Sequence, residues 1–450
     1  MISMKLTVAA ELIGGRLIGQ DQNFEAVCTD SRQITPSCLF AAIKGERVDG
    51  HDYAIQAISA GACAVLTERQ LEDVESQLVV ADVLLALGAL ARAWRQQINP
   101  TVVAITGSNG KTTVKEMVTE ILAGSAPVLS SQGNFNNELG LPLTLFRLAA
   151  EHRYAVLELG ASKAGDINYL AEICQPDVGL VNNAGPAHLQ GFGSLDGVAR
   201  AKGELLAALP ESGNAVFNGD QQWASLWNSL NRAAIGIRFG EDPGHPVHGR
   251  RLADGMIEIN TPGGSFQAHL PLPGQHNLMN ALAATAVATV LEVPVPQIQA
   301  GLEAVSPVTG RLNRLVSQRG WIIIDDTYNA NPASLYAGLL VLAEQSSEPW
   351  LVLGDMLELG GGSRKLHSEV GEAAAGLGVK RLYCVGELSQ AAAETFGKDA
   401  RHFSSKEDLI DGLLNDIHPG ITCLVKGSRS MGMESVVTAL LNSIPKLEAV

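Results

Sequence analysis

The sequence predicts an α/β protein of three domains, a small first domain followed by two domains built on mostly parallel sheets. The chain has 450 residues, and because domains commonly contain about 100–200 residues, more than one domain is expected. From residue 101, short apolar runs alternate with helix-compatible segments, which is typical of a parallel sheet covered on both faces. The pattern starts again after Gly310-Arg311 and indicates a second doubly wound, Rossmann-like unit.

We predict domains at residues 1–82, 83–312 and 313–450. The first segment contains short β-like runs broken by turns, and a helical stretch from Val83 to Gln97 follows it. The stretch leads to Asn99-Pro100, where the residue before proline disfavours helix. Residues 215–272 resemble β-hairpins, and residues 280–291 a buried helix. Four apolar runs of the last segment predict strands with ligand sites at their carboxyl ends: GWIIIDD, PWLVLGD, KRLYCVG and ITCLVKGS.

The composition excludes several classes of protein. Hydrophobic residues make up 46% of the chain and charged residues 18%, which excludes a disordered chain. The net charge of −15 argues against nucleic acid as a partner. A site for an anionic ligand must therefore be built locally, from backbone N–H groups and a few cations.

We expect a cytoplasmic protein that is not embedded in a membrane. The longest uncharged apolar run, from Ala281 to Leu291, is shorter than the roughly 20 residues that span a bilayer. The N-terminus lacks a signal-peptide pattern. The six cysteines form no CxxC pair, which is typical of reduced thiols.

A glycine loop between a predicted strand, 101–105, and a predicted helix has the context of a nucleotide-phosphate site. Glycines let backbone N–H groups surround phosphate oxygens, a lysine bridges phosphates, and a threonine can bind Mg²⁺. The common longer form of the motif has glycine where this chain has Ile105. The alternative is an ordinary turn between strand and helix. The candidate nucleotide-binding residues are Gly107, Ser108, Asn109, Gly110, Lys111, Thr112 and Thr113.

Two residues at the ends of later strands are candidate metal ligands. Glu158 follows the apolar run YAVL, and a carboxylate at a strand end beside a phosphate loop suits Mg²⁺. The alternative is a glutamate at an exposed strand end. His188 ends the next strand region, and a single histidine can equally be structural.

Lys202 lies within the apolar stripe of a predicted helix. Ser194 can cap this helix, and Val198 and Leu205 belong to the stripe. The lysine stem can pack while its ammonium reaches water. Alternatively, burial lowers the pKa of the amine, which can then take up CO₂ and become a metal-binding carbamate.

The motifs together resemble the Mur ligase family over nearly the whole chain. The resemblance rests on the order of GSNGKTT, ELG, NNAGPAHLQGFGS, AKGEL, GQHNLMNALAA, GRL, DDTYNANP and VKGSRS. Within the family, DDTYNANP resembles the branch that adds D-alanyl-D-alanine to UDP-N-acetylmuramoyl-tripeptide in peptidoglycan synthesis. TDSRQITPSCLF and AAIKGERVDGHDY resemble a uridine-nucleotide domain.

The resemblance implies an ATP-dependent ligase that forms an amide through an acyl phosphate. It implies Mg²⁺ at two sites, Thr112 and Glu158 serving one, and His188 and carbamylated Lys202 the other. It assigns catalytic roles to Lys111, Lys202, His188 and Glu158.

The resemblance also implies ligand-binding residues outside the phosphate loop. Asn277 would lie near adenine, while Arg311 and Asp326 would reach phosphate and ribose. We expect a monomer whose partners are the two substrates. The implied substrate-binding residues are Ser31, Arg32, Lys44, Gly45, Arg47, Asn136, Asn137, Tyr328, Asn329, Asn331 and Arg429.

Several of these assignments have plainer alternatives. Residues 30–47 can simply be turns, and Arg429, like Lys426, can belong to a solvated loop. Asn331-Pro332 is also a good helix start, with asparagine as N-cap and proline at the first position. For the whole chain, the alternatives are a sister ligase that adds diaminopimelate or lysine, a folylpolyglutamate synthase, and a nucleotide-switched binding protein without acyl transfer.

Overall fold

A computed structural model describes residues 1–45 and 48–442 of the protein. The first part of the chain forms a small sheet with two short helices. Its elements are β1 Met4–Lys5, α1 Leu6–Ile13, β2 Arg16–Ile18, β3 Asn23–Phe24, β4 Ala26–Cys28, β5 Cys38–Ala41, α2 Ala54–Ser59, β6 Ala64–Thr67 and β7 Gln77–Val79. The sheet has the order β2-β7-β6-β5-β4 and is parallel except for β2 with β7, while β1 and β3 form a separate antiparallel pair.

The middle of the chain forms a nine-stranded sheet. Its elements are α3 Val83–Ile98, β8 Thr101–Thr106, α4 Lys111–Ala123, β9 Val128–Ser130, α5 Gly140–Leu145, β10 Tyr154–Glu158, α6 Asp166–Cys174, β11 Val178–Val181, α7 Leu189–Phe192, α8 Leu195–Ala207, β12 Asn214–Asn218, α9 Ala224–Leu230, β13 Ile235–Gly240, β14 Val247–Arg251, β15 Met256–Thr261, β16 Gly264–His269, α10 Gln275–Val290 and α11 Val295–Ala304. The order is β16-β15-β14-β13-β12-β11-β8-β10-β9, parallel from β14 to β9 and antiparallel in β14–β16.

The last part of the chain forms a six-stranded sheet. Its elements are β17 Asn313–Val316, β18 Ile322–Asp326, α12 Pro332–Gln345, β19 Pro349–Gly354, α13 Ser363–Gly376, β20 Arg381–Val385, α14 Gln390–Phe396, β21 Ala400–Phe403, α15 Lys406–Asp416, β22 Thr422–Lys426 and α16 Glu434–Asn442. The order is β17-β18-β22-β19-β20-β21, and only β17 with β18 is antiparallel. Apolar clusters cover both faces.

The predicted class, an α/β fold with mostly parallel later sheets, agrees with these elements. The four predicted strands of the last segment are β18, β19, β20 and β22, and the predicted helix at 83–97 is α3, which Asp82 caps. Among the helices of the described ranges, none is both long and apolar enough to cross a bilayer. The domain boundaries at 82 and 312 stay predictions.

The expectation of β-hairpins throughout 215–272 is wrong for its first half. Only β14, β15 and β16 form hairpins, whereas β12 and β13 are parallel strands connected through α9. α9 is one short helix whose apolar side is largely Trp227, which is fully buried. So brief a helix offers too few positions for a helical period to be recognised in the sequence.

Candidate active site

A cavity of about 1270 Å³ lies where the middle and last parts of the chain meet, at the carboxyl ends of their parallel strands. It brings together most of the residues that the sequence predicted. Thr112 lies beside it and is buried. The predicted residues that line the cavity are Gly107, Ser108, Asn109, Gly110, Lys111, Thr113, Asn136, Asn137, Glu158, His188, Lys202, Asn277, Arg311, Asp326, Tyr328, Asn329 and Asn331.

The phosphate loop connects β8 to α4 and is held in shape by asparagines. Gly110 has a φ of 79° and caps α4, and a Cβ there would collide with Asn280 and Asn182. Asn182 donates to the Asn109 carbonyl at 3.0 Å and to Asn280 Oδ1 at 3.1 Å. Asn183 accepts from the Asn109 N–H at 2.9 Å. These three supporting asparagines were not among the predicted site residues, although two of them begin the NNAGPAH motif.

Lys111 is the first residue of α4 and faces the cavity. Its ammonium donates to the Gly107 carbonyl at 2.8 Å, which folds the side chain back over the loop. Burial lowers the pKa of Lys111; nearby Glu158 opposes this, and the Arg311 cation adds to it. A polyphosphate in the loop would reverse this shift, because anions stabilise the protonated amine.

Glu158 ends β10 with its carboxylate buried. One oxygen accepts from Thr112 Oγ1 at 2.7 Å and the other from Asn136 Nδ2 at 2.8 Å. The Glu158 N–H donates to Ser131 Oγ at 3.1 Å, which fixes the end of the strand. A hydroxyl and a carboxylate oxygen at this distance form a donor set that suits Mg²⁺.

Lys202 lies on α8, which Ser194 caps by accepting from the Gly197 N–H at 3.0 Å. The side chain is 3% exposed, and among the described residues its amine has no hydrogen-bond or ion-pair partner. The amine lies 5.4 Å from the centre of the Phe192 ring. Burial lowers the pKa of Lys202 to about 7, and the Lys111 cation adds to this effect. The buried position of Lys202 agrees with the prediction, whereas its carbamylation stays a prediction.

His188 follows β11 and precedes α7. Its Nδ1 lies 2.6 Å from Oε2 of Glu358, a residue of the last part of the chain. Burial lowers the pKa of His188; Glu358 opposes this effect, and Lys111 and Lys202 add to it. In the described ranges, no group of three or more His, Cys, Asp or Glu side chains could hold a metal ion.

The opposite wall of the cavity is the segment between β18 and α12. Lys426 donates to Asp326 and, at 2.9 Å, to the Asn329 carbonyl, so it is already paired. Asn331 caps α12 by accepting from the Ser334 N–H at 2.9 Å, which confirms the predicted helix start. Its Nδ2 also donates to Asn109 Oδ1 of the phosphate loop at 2.8 Å.

Arg311 connects the two walls. Its Nη2 donates to Thr112 Oγ1 at 2.8 Å, and its guanidinium lies 4.1 Å from the centre of the Tyr328 ring. Asn277 lies at the start of α10, where its Nδ2 donates to the Pro273 carbonyl at 2.7 Å. The ATP-facing residues predicted from different parts of the chain thus meet in one place.

The predicted uridine-binding residues lie outside this cavity. The Arg32 guanidinium donates two hydrogen bonds to the Asp30 carboxylate, at 2.9 and 2.8 Å, next to Ser31. Lys44 forms an isolated antiparallel backbone bridge with Asp49, ahead of Gly45. Arg47 lies outside the described residues. Arg429 does not line the cavity either; it is exposed and lies 3.4 Å from Glu434.

Comparisons with known proteins define the class of this fold and site. Three family models match: the Mur ligase family catalytic domain at residues 23–105, the Mur ligase middle domain at 105–288, and the glutamate ligase domain of Mur ligases at 310–429. The chain belongs to the Mur ligase family, as its motifs predicted.

Two curated relatives share a name, and two solved structures are described as MurF. The chain is 44% identical to the UDP-N-acetylmuramoyl-tripeptide–D-alanyl-D-alanine ligase of Escherichia coli K12, over 98% of this chain and 99% of the relative. It is 39% identical to the ligase of that name from Haemophilus influenzae, over 99% and 100%. A crystal structure of MurF from Acinetobacter baumannii superposes with a TM-score of 0.92 at 35% identity, over 98% of this chain and 100% of that one. MurF from Thermotoga maritima, solved with ADP, has a TM-score of 0.84 at 28% identity, over 92% and 96%.

Proposed function

We propose that the chain joins D-alanyl-D-alanine to the terminal carboxylate of UDP-N-acetylmuramoyl-tripeptide, with ATP as the energy source. The products are UDP-N-acetylmuramoyl-pentapeptide, ADP and phosphate, in the service of peptidoglycan synthesis. The observation that carries this proposal is the single cavity in which a phosphate loop, Glu158, Lys202 and the DDTYNANP segment face one another. The names of its relatives and the ADP bound to a structural neighbour support the proposal.

The cavity suits a reaction between two anions. The tripeptide carboxylate attacks the γ-phosphorus of ATP, the bond between that phosphorus and ADP breaks, and an acyl phosphate forms. Lys111 and the N–H groups of the phosphate loop offset the charge of the triphosphate, and Arg311 adds a cation from the other wall. The N-terminus of α4 points its partial positive charge at the same place.

The second step forms the amide. The neutral amine of the dipeptide attacks the acyl carbon, the carbon–oxygen bond to phosphate breaks, and the amine loses a proton. Asn329 and Tyr328 present polar groups to this part of the cavity. Lys426 is bonded to Asp326, so Arg429 is the better candidate for the dipeptide carboxylate. Arg429 does not line the cavity, but its guanidinium lies 6.0 Å from the centre of the Tyr328 ring at the cavity wall.

The donor sets fit magnesium at two places. Thr112 and Glu158 would hold one ion, and His188 with a carbamate on Lys202 would hold the other. When bound, Mg²⁺ neutralises phosphate charge and so lets the carboxylate approach. The low pKa of Lys202 favours carbamylation, because only the neutral amine reacts with CO₂.

The proposal also covers the cellular location, the oligomeric state and the part of the chain that binds the uridine nucleotide. We propose a cytoplasmic location, with which six free cysteines agree, and a monomer. Residues 1–82 are proposed to hold the uridine nucleotide, although Ser31, Arg32, Lys44 and Gly45 lie away from the main cavity.

The test is mass spectrometry of the product from ATP, UDP-N-acetylmuramoyl-tripeptide and D-alanyl-D-alanine. We expect a product heavier than the tripeptide substrate by one dipeptide less water. Free diaminopimelate or lysine, offered with the UDP-dipeptide, should give no amide. Amide formation with either amino acid would indicate a sister ligase, and phosphate release without any amide would indicate a nucleotide switch.

A further inference from the structure

The loop after β19 extends from the last part of the chain to the histidine of the candidate second metal site. Glu358 in this loop places Oε2 at 2.6 Å from His188 Nδ1. The side chains of Glu358 and His188 are 61% and 35% exposed. The contact therefore lies at the edge of the cavity and connects two parts of the chain that are separate in sequence.

Both residues of this pair have an unusual backbone conformation. The φ angle is 52° at His188 and 62° at Glu358, a left-handed region that disfavours residues with a Cβ. Such conformations cost free energy, persist only where surrounding contacts impose them, and concentrate at functional sites. The contact between these two left-handed residues therefore indicates that the geometry of the pair serves a function.

The loop around Glu358 is anchored on both sides. The Met356 N–H donates to His367 Nε2 at 2.9 Å, and the Leu357 N–H donates to Ser428 Oγ at 2.8 Å. Leu359, on the other side, is 3% exposed and belongs to an apolar cluster of the last part of the chain. The backbone on both sides of Glu358 is thus held in place, which limits where its carboxylate can lie.

The contact determines which nitrogen of the ring carries a proton. A carboxylate only accepts hydrogen bonds, so Nδ1 of His188 must be the donor. In the neutral ring, Nε2 then has a lone pair, and among the described residues it has no hydrogen-bond partner. A lone pair on one ring nitrogen, with a carboxylate on the other, is the arrangement in which histidines bind metals.

We propose that Glu358 is a positioning residue that holds His188 in the Nδ1–H tautomer, with Nε2 free to bind a divalent cation in the cavity. Because Glu358 belongs to the last part of the chain, the histidine is prepared only while that part is docked against the phosphate-loop unit. This inference deepens the proposed function and rests on it for the identity of the metal site.

The first measurement is the tautomer of His188, which requires no metal and no turnover. Histidine-selective ¹⁵N labelling with long-range ¹H–¹⁵N correlation distinguishes the two tautomers, and His188→Ala assigns the signal. We expect the Nδ1–H form in the wild type and a shift toward the Nε2–H form in Glu358→Ala. Glu358→Gln should keep the Nδ1–H form, because its amide oxygen still accepts. An unchanged tautomer in Glu358→Ala would overturn the inference.

The second measurement is equilibrium binding of Mn²⁺, followed by electron paramagnetic resonance, with a non-hydrolysable ATP analogue and UDP-N-acetylmuramoyl-tripeptide present. Glu358→Ala should weaken one of two sites by about 10–100-fold, as loss of such a partner commonly does. Glu358→Gln should weaken it less. Wild-type affinity of both sites in Glu358→Ala would contradict the inference.

Controls separate the inference from the function on which it rests. Glu348→Ala removes a carboxylate that lies 3.3 Å from His418; neither residue lines the cavity, so this variant should change neither readout. If His188→Ala weakens a Mn²⁺ site and Glu358→Ala does not, the positioning role alone is wrong. If His188→Ala also keeps both sites, the metal assignment falls and the inference falls with it. A wild type that forms no pentapeptide, yet shows both Glu358 effects, would refute the function and support the inference.

Discussion

The two walls of the cavity each contain a buried lysine, and the two lysines have opposite surroundings. Lys426, on the wall from the last part of the chain, is 2% exposed and is bonded to Asp326 and to a backbone carbonyl. Lys202, on the wall from the middle part, is 3% exposed and has no such partner among the described residues. The Lys111 cation also acts on Lys202 and adds to the fall in its pKa, to about 7.

The difference shows that burial alone does not determine what a lysine does. A buried lysine that is hydrogen-bonded to a carboxylate holds its surroundings in place, and removing either partner is costly. A buried amine without a partner loses its proton readily and becomes available for chemistry. We therefore propose that Lys426 stabilises the wall of the cavity and that Lys202 takes part in the reaction.

The largest expected effect is on catalysis at Lys202. Lys202→Ala should lower the rate of pentapeptide formation by at least about 10³-fold, the upper end of the cost of losing one electrostatic group. Formate or acetate should restore part of the rate by supplying carboxylate oxygens. Lys202→Arg should stay inactive, because it places a fixed cation near the metal. An active Lys202→Arg would exclude the carbamate. Lys365→Ala, which removes an exposed lysine, serves as the control and should keep wild-type activity.

The corresponding change on the other wall should act on stability. Lys426→Met leaves Asp326 buried without its partner, and removing one member of a buried pair costs about 3–5 kcal/mol of unfolding free energy. Urea denaturation measures this loss. The double variant with Asp326→Asn should recover part of it, since the buried charge is then gone. A Lys426→Met protein as stable as wild type would contradict the stabilising role of Lys426.

Lys111 lies on the wall from the middle part of the chain, and we propose that its cation offsets the charge of the phosphates bound in the loop. Lys111→Ala should lower activity by about 10²–10³-fold, the usual cost of removing one group that stabilises developing charge. Circular dichroism and the unfolding midpoint should stay close to wild type, because within the described residues the Lys111 ammonium bonds its own loop, at the Gly107 carbonyl. Near-normal turnover in this variant would refute the phosphate-loop assignment.

The low pKa of Lys202 should also make the free energy of unfolding depend on pH. Its pKa falls from an ordinary 10.5 to about 7 in the folded chain, so the unfolded chain binds more protons between these values. The wild type should therefore gain stability relative to Lys202→Met as the pH rises from 7 toward 10 in CO₂-free buffer. A constant difference between the two proteins across this range would mean that Lys202 is not desolvated.

The smallest expected effect concerns Asn331. Asn331→Ala removes the cap of α12, which costs about 1 kcal/mol of unfolding free energy, and it removes the bond to Asn109. We expect a raised KM for ATP as well. Ser405→Ala is the matched control, because it removes a cap of α15, where Ser405 accepts from the Asp408 N–H at 3.1 Å, away from the cavity. Equal KM values in the two variants would confine Asn331 to its structural role.

The walls also differ in how far the sequence predicted them. The phosphate loop and the buried position of Lys202 follow from spacing within one strand, loop and helix, where local periodicity determines which side chains share a face. The bonds of Lys426 could not be predicted in this way, because its partner Asp326 lies 100 residues away in the sequence, on a neighbouring strand of the sheet. Glu358 was missed for a similar reason, since only tertiary contact brings it to His188.

The pairing of β18 with β22 places Asp326 opposite Lys426, one hundred positions later in the chain. In a growing polypeptide, the DDTYNANP segment is therefore exposed to solvent long before the strand that completes it has been synthesised. Contacts between such distant positions form late, since a large loop must close first. Translation that stops short of residue 426 yields a chain in which Asp326 lacks its cation. Fragments of this kind should fail to assemble the nucleotide cavity, and so should not consume ATP.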